Sequence, residues 1–178
     1  MPRPVLAIID VQERLFSAMD AERRELMIGN LKILATAARR LDHPVVLTEQ
    51  YPRGLGRTLP ELQALLPDVT PLEKTAFSCV RAPGFQDQVQ ALGADPVVLA
   101  GVEAHVCVLL TALDLVAAGL PAVIVADAVC SRRRESVELA LAQARQAGIV
   151  VTSTETLVFQ WLGHADTPAF REIAKLLR

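Results

Sequence analysis

Aromatic residues are scarce in this sequence of 178 residues, and neither sign of charge is in large excess. Phe, Tyr and Trp make up 4% of the chain, so the core must be built from the aliphatic part of a hydrophobic fraction of 52%. Its 18 basic and 20 acidic residues give a formal net charge of -2. Because this balance leaves no broad basic surface, we expect no nucleic-acid partner.

Cysteines and long apolar runs are also few. The three cysteines, Cys79, Cys107 and Cys130, form no Cys-x-x-Cys pair and no even-numbered framework, which favours reduced thiols over disulfides. The sequence contains neither an apolar run long enough to span a bilayer nor a basic segment followed by a short apolar one at its start. We therefore expect a cytoplasmic protein without a membrane partner.

Motifs that bind metals or nucleotides are missing as well. The only histidines are His43, His105 and His164, and they form neither a His-x-x-x-His pair nor a cluster with cysteines. No Gly-x-Gly-x-x-Gly motif follows the first apolar run, and there is no phosphate-binding loop ending in Gly-Lys-Ser/Thr. The sequence thus predicts no metal and no cofactor.

What the chain does contain is an alternation of apolar runs and amphipathic segments. Strands are predicted at 4–9, 44–48, 69–72, 96–101, 121–126 and 149–152, and helices at 22–41, 59–66, 84–92, 108–119, 133–146, 152–161 and 168–177. Such alternation predicts a three-layer α/β/α, Rossmann-like fold with an open, mostly parallel sheet of about six strands. We expect residues 1–178 to form one domain.

Polar residues follow several of the predicted strands. In folds of this class ligands bind beyond the carboxyl ends of the strands, where Asp10, Glu49, Asp127 and Cys107 are expected. Cys107 would begin a helix, and a helix N-terminus favours a thiolate. Lys74 is a further candidate. From the residues alone, Cys107 could equally be a core residue, Asp10 a helix cap and Lys74 a solvated loop residue.

Three segments resemble a known family. The segments IIDVQ at 8–12, KTAFS at 74–78 and GVEAHVCVLLTA at 101–112, in this order, resemble the isochorismatase-like cysteine hydrolase superfamily. The resemblance covers essentially the whole chain. The segments TEQYPRGLG at 48–56, EAHVC at 103–107 and FQWLG at 159–163 resemble more specifically its branch of isochorismatase domain-containing proteins.

The resemblance implies a catalytic triad. Asp10 would take the proton of the Cys107 thiol, Lys74 would stabilise the charged pair, and the sulfur would attack a carbonyl carbon. A cis peptide bond between Val102 and Glu103 is implied too, with the backbone N–H groups of Glu103 and Cys107 forming an oxyanion hole. Substrate contacts are expected from Gln12, Phe16, Tyr51, Phe77 and His105.

Two departures from relatives narrow the implied chemistry. Nicotinamidases of this superfamily bind a metal through an Asp and paired histidines after the second strand, whereas residues 49–54 here contain no histidine. True isochorismatases cleave a vinyl ether without using this cysteine. The resemblance therefore implies a hydrolase of a small-molecule amide, ureide or related C–N bond. The alternative is a small-molecule-binding or scaffold protein that retains the fold without turnover.

Self-association is expected on two grounds. The predicted last helix carries apolar residues that one compact domain would not fully cover: Phe170, Ile173, Ala174 and Leu177. The family resemblance also implies a homo-oligomer. The chain is therefore expected to assemble with copies of itself.

Overall fold

A parallel sheet of six strands lies at the centre of the fold. The computed structural model describes residues 3–177. The strands are β1 (Arg3–Ile9), β2 (Val45–Gln50), β3 (Leu72–Lys74), β4 (Ala94–Val102), β5 (Ala122–Cys130) and β6 (Val150–Thr152). Their order is β3-β2-β1-β4-β5-β6, and each neighbouring pair is parallel. The predicted fold class is thereby confirmed.

Helices cover both faces of the sheet. They are α1 (Glu13–Ala18), α2 (Ala21–Arg40), α3 (Pro52–Leu55), α4 (Pro60–Gln63), α5 (Phe85–Ala91), α6 (Leu109–Ala117), α7 (Arg134–Gln146), α8 (Thr154–Leu162) and α9 (Pro168–Ile173). Short 3-10 turns occupy Cys79–Arg81 and Ala174–Leu177, and one π-helical turn occupies Ala104–Val108. Within residues 3–177, none of the helices combines the length and the apolar character that crossing a membrane requires.

The aliphatic core is divided between the two faces. Along β1, Val5, Ala7 and Ile9 face one buried cluster, which includes residues of α5, α6 and α7. Leu6 and Ile8 face the other, which includes residues of α2 and α8. Burial on both faces explains why this strand is an uninterrupted apolar run rather than an alternating one.

The last helix packs back onto the domain. Ile173 is buried, and Phe170 and Leu177 are partly buried against the cluster that contains α2. The helix is also shorter than predicted, since its final turn is 3-10. The domain therefore buries Ile173 fully but covers Phe170, Ala174 and Leu177 only in part, as the sequence led us to expect.

Two strands have bounds that differ from the prediction. β3 starts at Leu72, directly after Pro71, which has no N–H group to donate to a ladder. β5 continues through Asp127 to Cys130, because its pairing with β4 shifts from Leu99–Ile124 to Gly101–Val129 across a bulge. Asp127 consequently lies inside this strand rather than at its end.

The start of α8 also differs. Thr152 ends β6, and the cap is Ser153, whose side chain accepts a hydrogen bond from the Thr156 N–H. The N–H and hydroxyl of Thr154 both donate to Asp127 Oδ1 at 2.8 Å. Asp127 therefore anchors this helix to the sheet, so the predicted cap at Thr152 is one residue too early.

The chain reverses its direction of travel across the sheet between β1 and β4. Strands β1 to β3 build one half and β4 to β6 the other, so β1 and β4 are neighbours at the switch point. In an open α/β sheet this crevice is the usual ligand site. At Gly101, opposite Ile9, the backbone has φ +110°, and an added Cβ would lie 2.2 Å from the Ile9 carbonyl oxygen. Only glycine fits this approach.

Candidate active site

Asp10 and Lys74 form a buried ion pair at the carboxyl edge of the sheet. Asp10 follows β1 with a positive φ of 53°, and Lys74 ends β3. Lys74 Nζ lies 2.7 Å from Asp10 Oδ2, and both side chains have no exposed surface. The other carboxylate oxygen, Oδ1, accepts a hydrogen bond of 2.7 Å from the Thr48 hydroxyl. Both oxygens of Asp10 are thus held by donors.

Four oxygen acceptors surround the Lys74 ammonium. Besides Asp10, they are Gln50 Oε1 at 2.6 Å and the carbonyls of Ala76 and Phe77 at 3.2 and 3.3 Å. Burial lowers the pKa of Lys74, but the negative charge of Asp10 and its hydrogen bond to the ammonium raise it, and the net result is a pKa above the ordinary value. Lys74 is therefore a fixed cation rather than a proton donor near neutral pH.

Cys107 lies beside this pair in the π-helical turn that precedes α6. Its residue is 7% exposed, so the thiol lies in a nearly dry place. Burial, the Asp10 charge and its hydrogen-bonding interaction with the thiol raise the pKa of Cys107, while Lys74 lowers it, and the net pKa is about 12. A helix N-terminus by itself favours a thiolate, but burial and the carboxylate outweigh the lysine here and keep the pKa raised.

The peptide between Val102 and Glu103 is cis, as the family resemblance implied. The Glu103 carbonyl accepts hydrogen bonds from the N–H groups of Val106 and Val108, which closes the π-helical turn. The Glu103 side chain accepts bonds of 3.1 Å from the backbone N–H and Nε of Arg132. Glu103 therefore anchors the turn that carries Cys107 to the end of β5.

The side-chain amide of Gln12 is hydrogen-bonded to the protein through both its nitrogen and its oxygen. Its Nε2 donates to the carbonyls of Gln50 and Gly56 at 3.0 and 2.7 Å, and its Oε1 accepts from the Gln50 N–H at 2.7 Å. The residue has no exposed surface. These contacts tie the loop after β2 to the end of β1, so Gln12 positions the wall of the site.

The other four residues expected to contact substrate do not share one hollow. Tyr51 borders a hollow of about 400 Å³ that reaches Lys74, and Phe77 borders another of about 350 Å³ beside Leu110. His105 Nδ1 is 2.9 Å from the Ser131 hydroxyl, next to Arg132 and Arg133. Phe16 is partly buried, with the Arg24 guanidinium 5.4 Å above its ring.

Glu49 and Asp127 have structural partners. Glu49 Oε1 accepts from the N–H and hydroxyl of Thr58, and Oε2 accepts from Arg57 at 2.8 Å. Burial raises the pKa of Glu49, but these hydrogen bonds outweigh it and the net pKa is lowered. Over residues 3–177, no group of three or more His, Cys, Asp and Glu side chains is placed to hold a metal ion.

Sequence reasoning missed four residues of this site. Thr48 and Gln50 hold Asp10 and Lys74, as described above, and Thr111 and Cys79 join the backbone behind Cys107. Thr48 and Gln50 lie at or next to the end of a strand beside Asp10, which is a usable signal. The pairing of Cys79 with Thr111 spans 32 positions and has no local pattern.

Comparison with known proteins places this geometry in a family. The Isochorismatase domain model matches residues 4–156. Isochorismatase domain-containing protein 2 of Macaca fascicularis is 46% identical over 178 residues, covering 98% of this chain and 82% of that protein. The same-named protein of Danio rerio is 39% identical, covering 97% of this chain and 86% of its own length.

Solved structures agree. The MAR1 ribonuclease of Caenorhabditis elegans is 38% identical with a TM-score of 0.90, covering 98% of this chain and 89% of that one. The YcaC gene product of Escherichia coli, described as an octameric hydrolase of unknown specificity, has a TM-score of 0.89 at 22% identity, covering 98% and 87%. The latter likeness shows the fold alone.

Proposed function

This chain belongs to the isochorismatase family, whose members share a hydrolase fold, and from that premise we propose that it hydrolyses a C–N bond of a small amide or ureide through Cys107. The proposal is carried by the dry Asp10–Lys74 ion pair beside a neutral thiol. A carboxylate in this position is a general base, and a fixed ammonium stabilises the negative charge that forms when the thiol loses its proton.

The reaction would proceed through a thioester. Asp10 takes the thiol proton while the Cys107 sulfur forms a bond to the carbonyl carbon. The C–N bond then breaks, and the amine leaves with the proton from Asp10. Water, deprotonated by Asp10, attacks the thioester, and the sulfur leaves and regains a proton. The acid is released and the triad returns to its starting state.

Backbone N–H groups would stabilise the oxyanion. We assign this role to the N–H groups of Glu103, which caps the π-helical turn, and of Cys107, which lies within it. A preorganised donor of this kind stabilises a transition state by about 3 kcal/mol. Lys74 is unsuited to the role, because its ammonium already faces four acceptors.

The burial of the site favours a small substrate. Asp10, Lys74 and Cys107 are 0%, 4% and 7% exposed. A substrate can therefore reach these side chains only if its carbonyl group lies at a narrow end of the molecule. The hollow bordered by Tyr51 is the proposed entry, since it lies against the end of β3 that carries Lys74, whose ammonium is buried behind this wall.

The test is a turnover screen. The parent protein and the Cys107→Ala variant are incubated with primary amides, ureides and N-carbamoyl compounds, and released ammonia or amine is measured. We expect turnover only in the parent, and an acyl adduct on Cys107 after acid quenching. Equal turnover in Cys107→Ala would refute the mechanism. Binding without turnover across the panel would favour the alternative, a non-catalytic binding or scaffold protein.

RNA hydrolysis is a second candidate, because the C. elegans protein that is 38% identical is named a ribonuclease. Amide hydrolysis has stronger support from this chain, since a thiol beside a carboxylate base is suited to acyl transfer and the net charge of -2 does not favour RNA binding. Incubation of single-stranded RNA with the parent and Cys107→Ala separates the two. Cleavage by both proteins, lost in Asp10→Asn, would favour the ribonuclease.

We also propose that the protein forms homo-oligomers in the cytoplasm. The E. coli protein of the same fold is described as octameric, and exposed large apolar residues here include Leu139 and Val150, which are 71% and 58% exposed. All three cysteines are free, as a reducing compartment favours. Light scattering at micromolar concentration tests the assembly, and a monomer mass would contradict it.

A further inference from the structure

Thr111 joins two segments of the site through one buried hydroxyl. It lies one turn after Cys107 in α6 and has no exposed surface. Its Oγ1 donates to the Cys107 carbonyl at 2.6 Å and accepts from the Cys79 N–H at 2.8 Å. One hydroxyl is therefore hydrogen-bonded both to the carbonyl of Cys107 and to the N–H of Cys79, which lies on a distant segment.

The segment that ends at Cys79 also holds the cation. The carbonyls of Ala76 and Phe77, two and three residues earlier in the chain, accept hydrogen bonds from Lys74 Nζ. The distance between the Cys107 backbone and the residues that hold Lys74 therefore depends on the Thr111 hydroxyl. Asp10 is held from the same side, because Cys79 Sγ lies 3.9 Å from the Thr48 hydroxyl that donates to it.

A threonine that bonds the carbonyl four residues back is common in helices and by itself carries no function. Thr111 differs because its hydroxyl also accepts an N–H from another segment, in a place without water access. Loss of the hydroxyl would leave the Cys79 N–H and the Cys107 carbonyl each short of a partner, and buried groups of this kind move to find new ones.

We propose that Thr111 is a positioning residue whose hydroxyl sets the placement of the Cys107 thiol against the Asp10–Lys74 pair. The inference rests on the proposed function for its catalytic meaning. The test measures only the reactivity of the thiol. The role of Thr111 can therefore be refuted while the proposal of amide hydrolysis stands, and it can be supported even if no substrate is found.

The measurement is the pH dependence of Cys107 alkylation by iodoacetamide, followed by mass spectrometry. The charged or titratable groups that act on this thiol are Asp10, Lys74 and Cys79. In the parent, burial and Asp10 raise the pKa of the Cys107 thiol to about 12. If Thr111→Val releases the nucleophile segment, the distances from the thiol to Asp10, which raises its pKa, and to Lys74, which lowers it, both change. The midpoint should then shift by about one pH unit or more.

Two variants make the test specific. Thr111→Ser keeps the hydroxyl and should retain the parent midpoint. Thr154→Val removes another buried threonine hydroxyl, one that bonds Asp127, and should lower stability without moving the Cys107 midpoint. For any amide found to turn over, Thr111→Val should lower kcat at least about tenfold with little change in KM, because a misplaced nucleophile weakens the transition state.

Several outcomes would overturn the proposal. An unchanged midpoint in a folded Thr111→Val protein would show that the hydroxyl does not place the thiol. A shift in Thr111→Ser as large as in Thr111→Val would assign the effect to side-chain volume. If Thr111→Val fails to fold, Thr111→Ala replaces it, and failure of both to fold would make the role of Thr111 purely structural.

Discussion

Removing the Lys74 charge should destabilise the fold as well as the chemistry. In Lys74→Met the side chain keeps a similar length, but the Asp10 carboxylate loses its cation at 2.7 Å in a place with no exposed surface. Breaking a buried ion pair by removing one partner costs about 3–5 kcal/mol, because the remaining charge stays desolvated. For a chain of this size the midpoint of thermal unfolding should fall by roughly 6–20 °C.

The control is the variant that removes both charges. Asp10→Asn combined with Lys74→Met leaves no uncompensated charge, so it should recover about 2 kcal/mol or more relative to Lys74→Met alone. Urea unfolding followed by circular dichroism gives the free energies of the parent, both single variants and the double variant. The coupling between the two substitutions follows from the completed cycle.

The pH dependence has a definite sign. Although burial lowers the pKa of Lys74, the Asp10 charge raises it above its ordinary value of 10.5, so the folded state holds the proton more tightly than the unfolded state. The stabilisation is therefore fully present below pH 10.5 and is lost as pH rises through the folded-state pKa. If Lys74→Met lowers the free energy of unfolding by less than about 1 kcal/mol at neutral pH, the buried ion pair is refuted.

Three further predictions follow from single residues. Gly101→Ala should cost roughly 3 kcal/mol or more by urea unfolding, because its Cβ would lie 2.2 Å from the Ile9 carbonyl oxygen; a smaller loss would contradict this close approach. Burial lowers the pKa of His43, so thermal stability should fall as pH drops below about 6.5, and His43→Asn should flatten that slope. Iodoacetamide should label Cys107 before Cys79, whose residue has no exposed surface, with a rate that rises towards pH 12 as the pKa of Cys107, raised to about 12, predicts. Equal labelling at neutral and high pH would contradict the last prediction.

The sheet could be predicted because its signals are local. A strand buried on both faces must be a continuous apolar run, and β1, β2 and β4 are found close to their predicted positions. The bulge in β5 could not be predicted, because it depends on pairing with β4. The cap of α8 at Ser153 instead of Thr152 could not be predicted either, because the Thr154 N–H donates to Asp127, which belongs to another element.

For the candidate site, too, one part could be predicted from the sequence and another part could not. The resemblance named Asp10, Lys74 and Cys107, and the structure brings these three together. The resemblance could not show which neighbouring group changes the pKa of the thiol most, because that depends on burial and on distances that a sequence does not contain. A helix N-terminus and a lysine favour thiolate, but burial and the Asp10 carboxylate raise the pKa of Cys107 to about 12.

A neutral thiol at rest suits the proposed reaction better than a stored thiolate. With Asp10 ionised, Lys74 charged and Cys107 protonated, the buried triad has no net charge. Transfer of the thiol proton to Asp10 leaves that total unchanged and only moves the negative charge onto sulfur. A dry site strongly opposes a change in net charge, whereas a transfer between groups around one fixed ammonium avoids that cost. In the proposed reaction the thiolate would form as the carbonyl is attacked, and the buried ion pair would lower the barrier because Lys74 remains charged throughout.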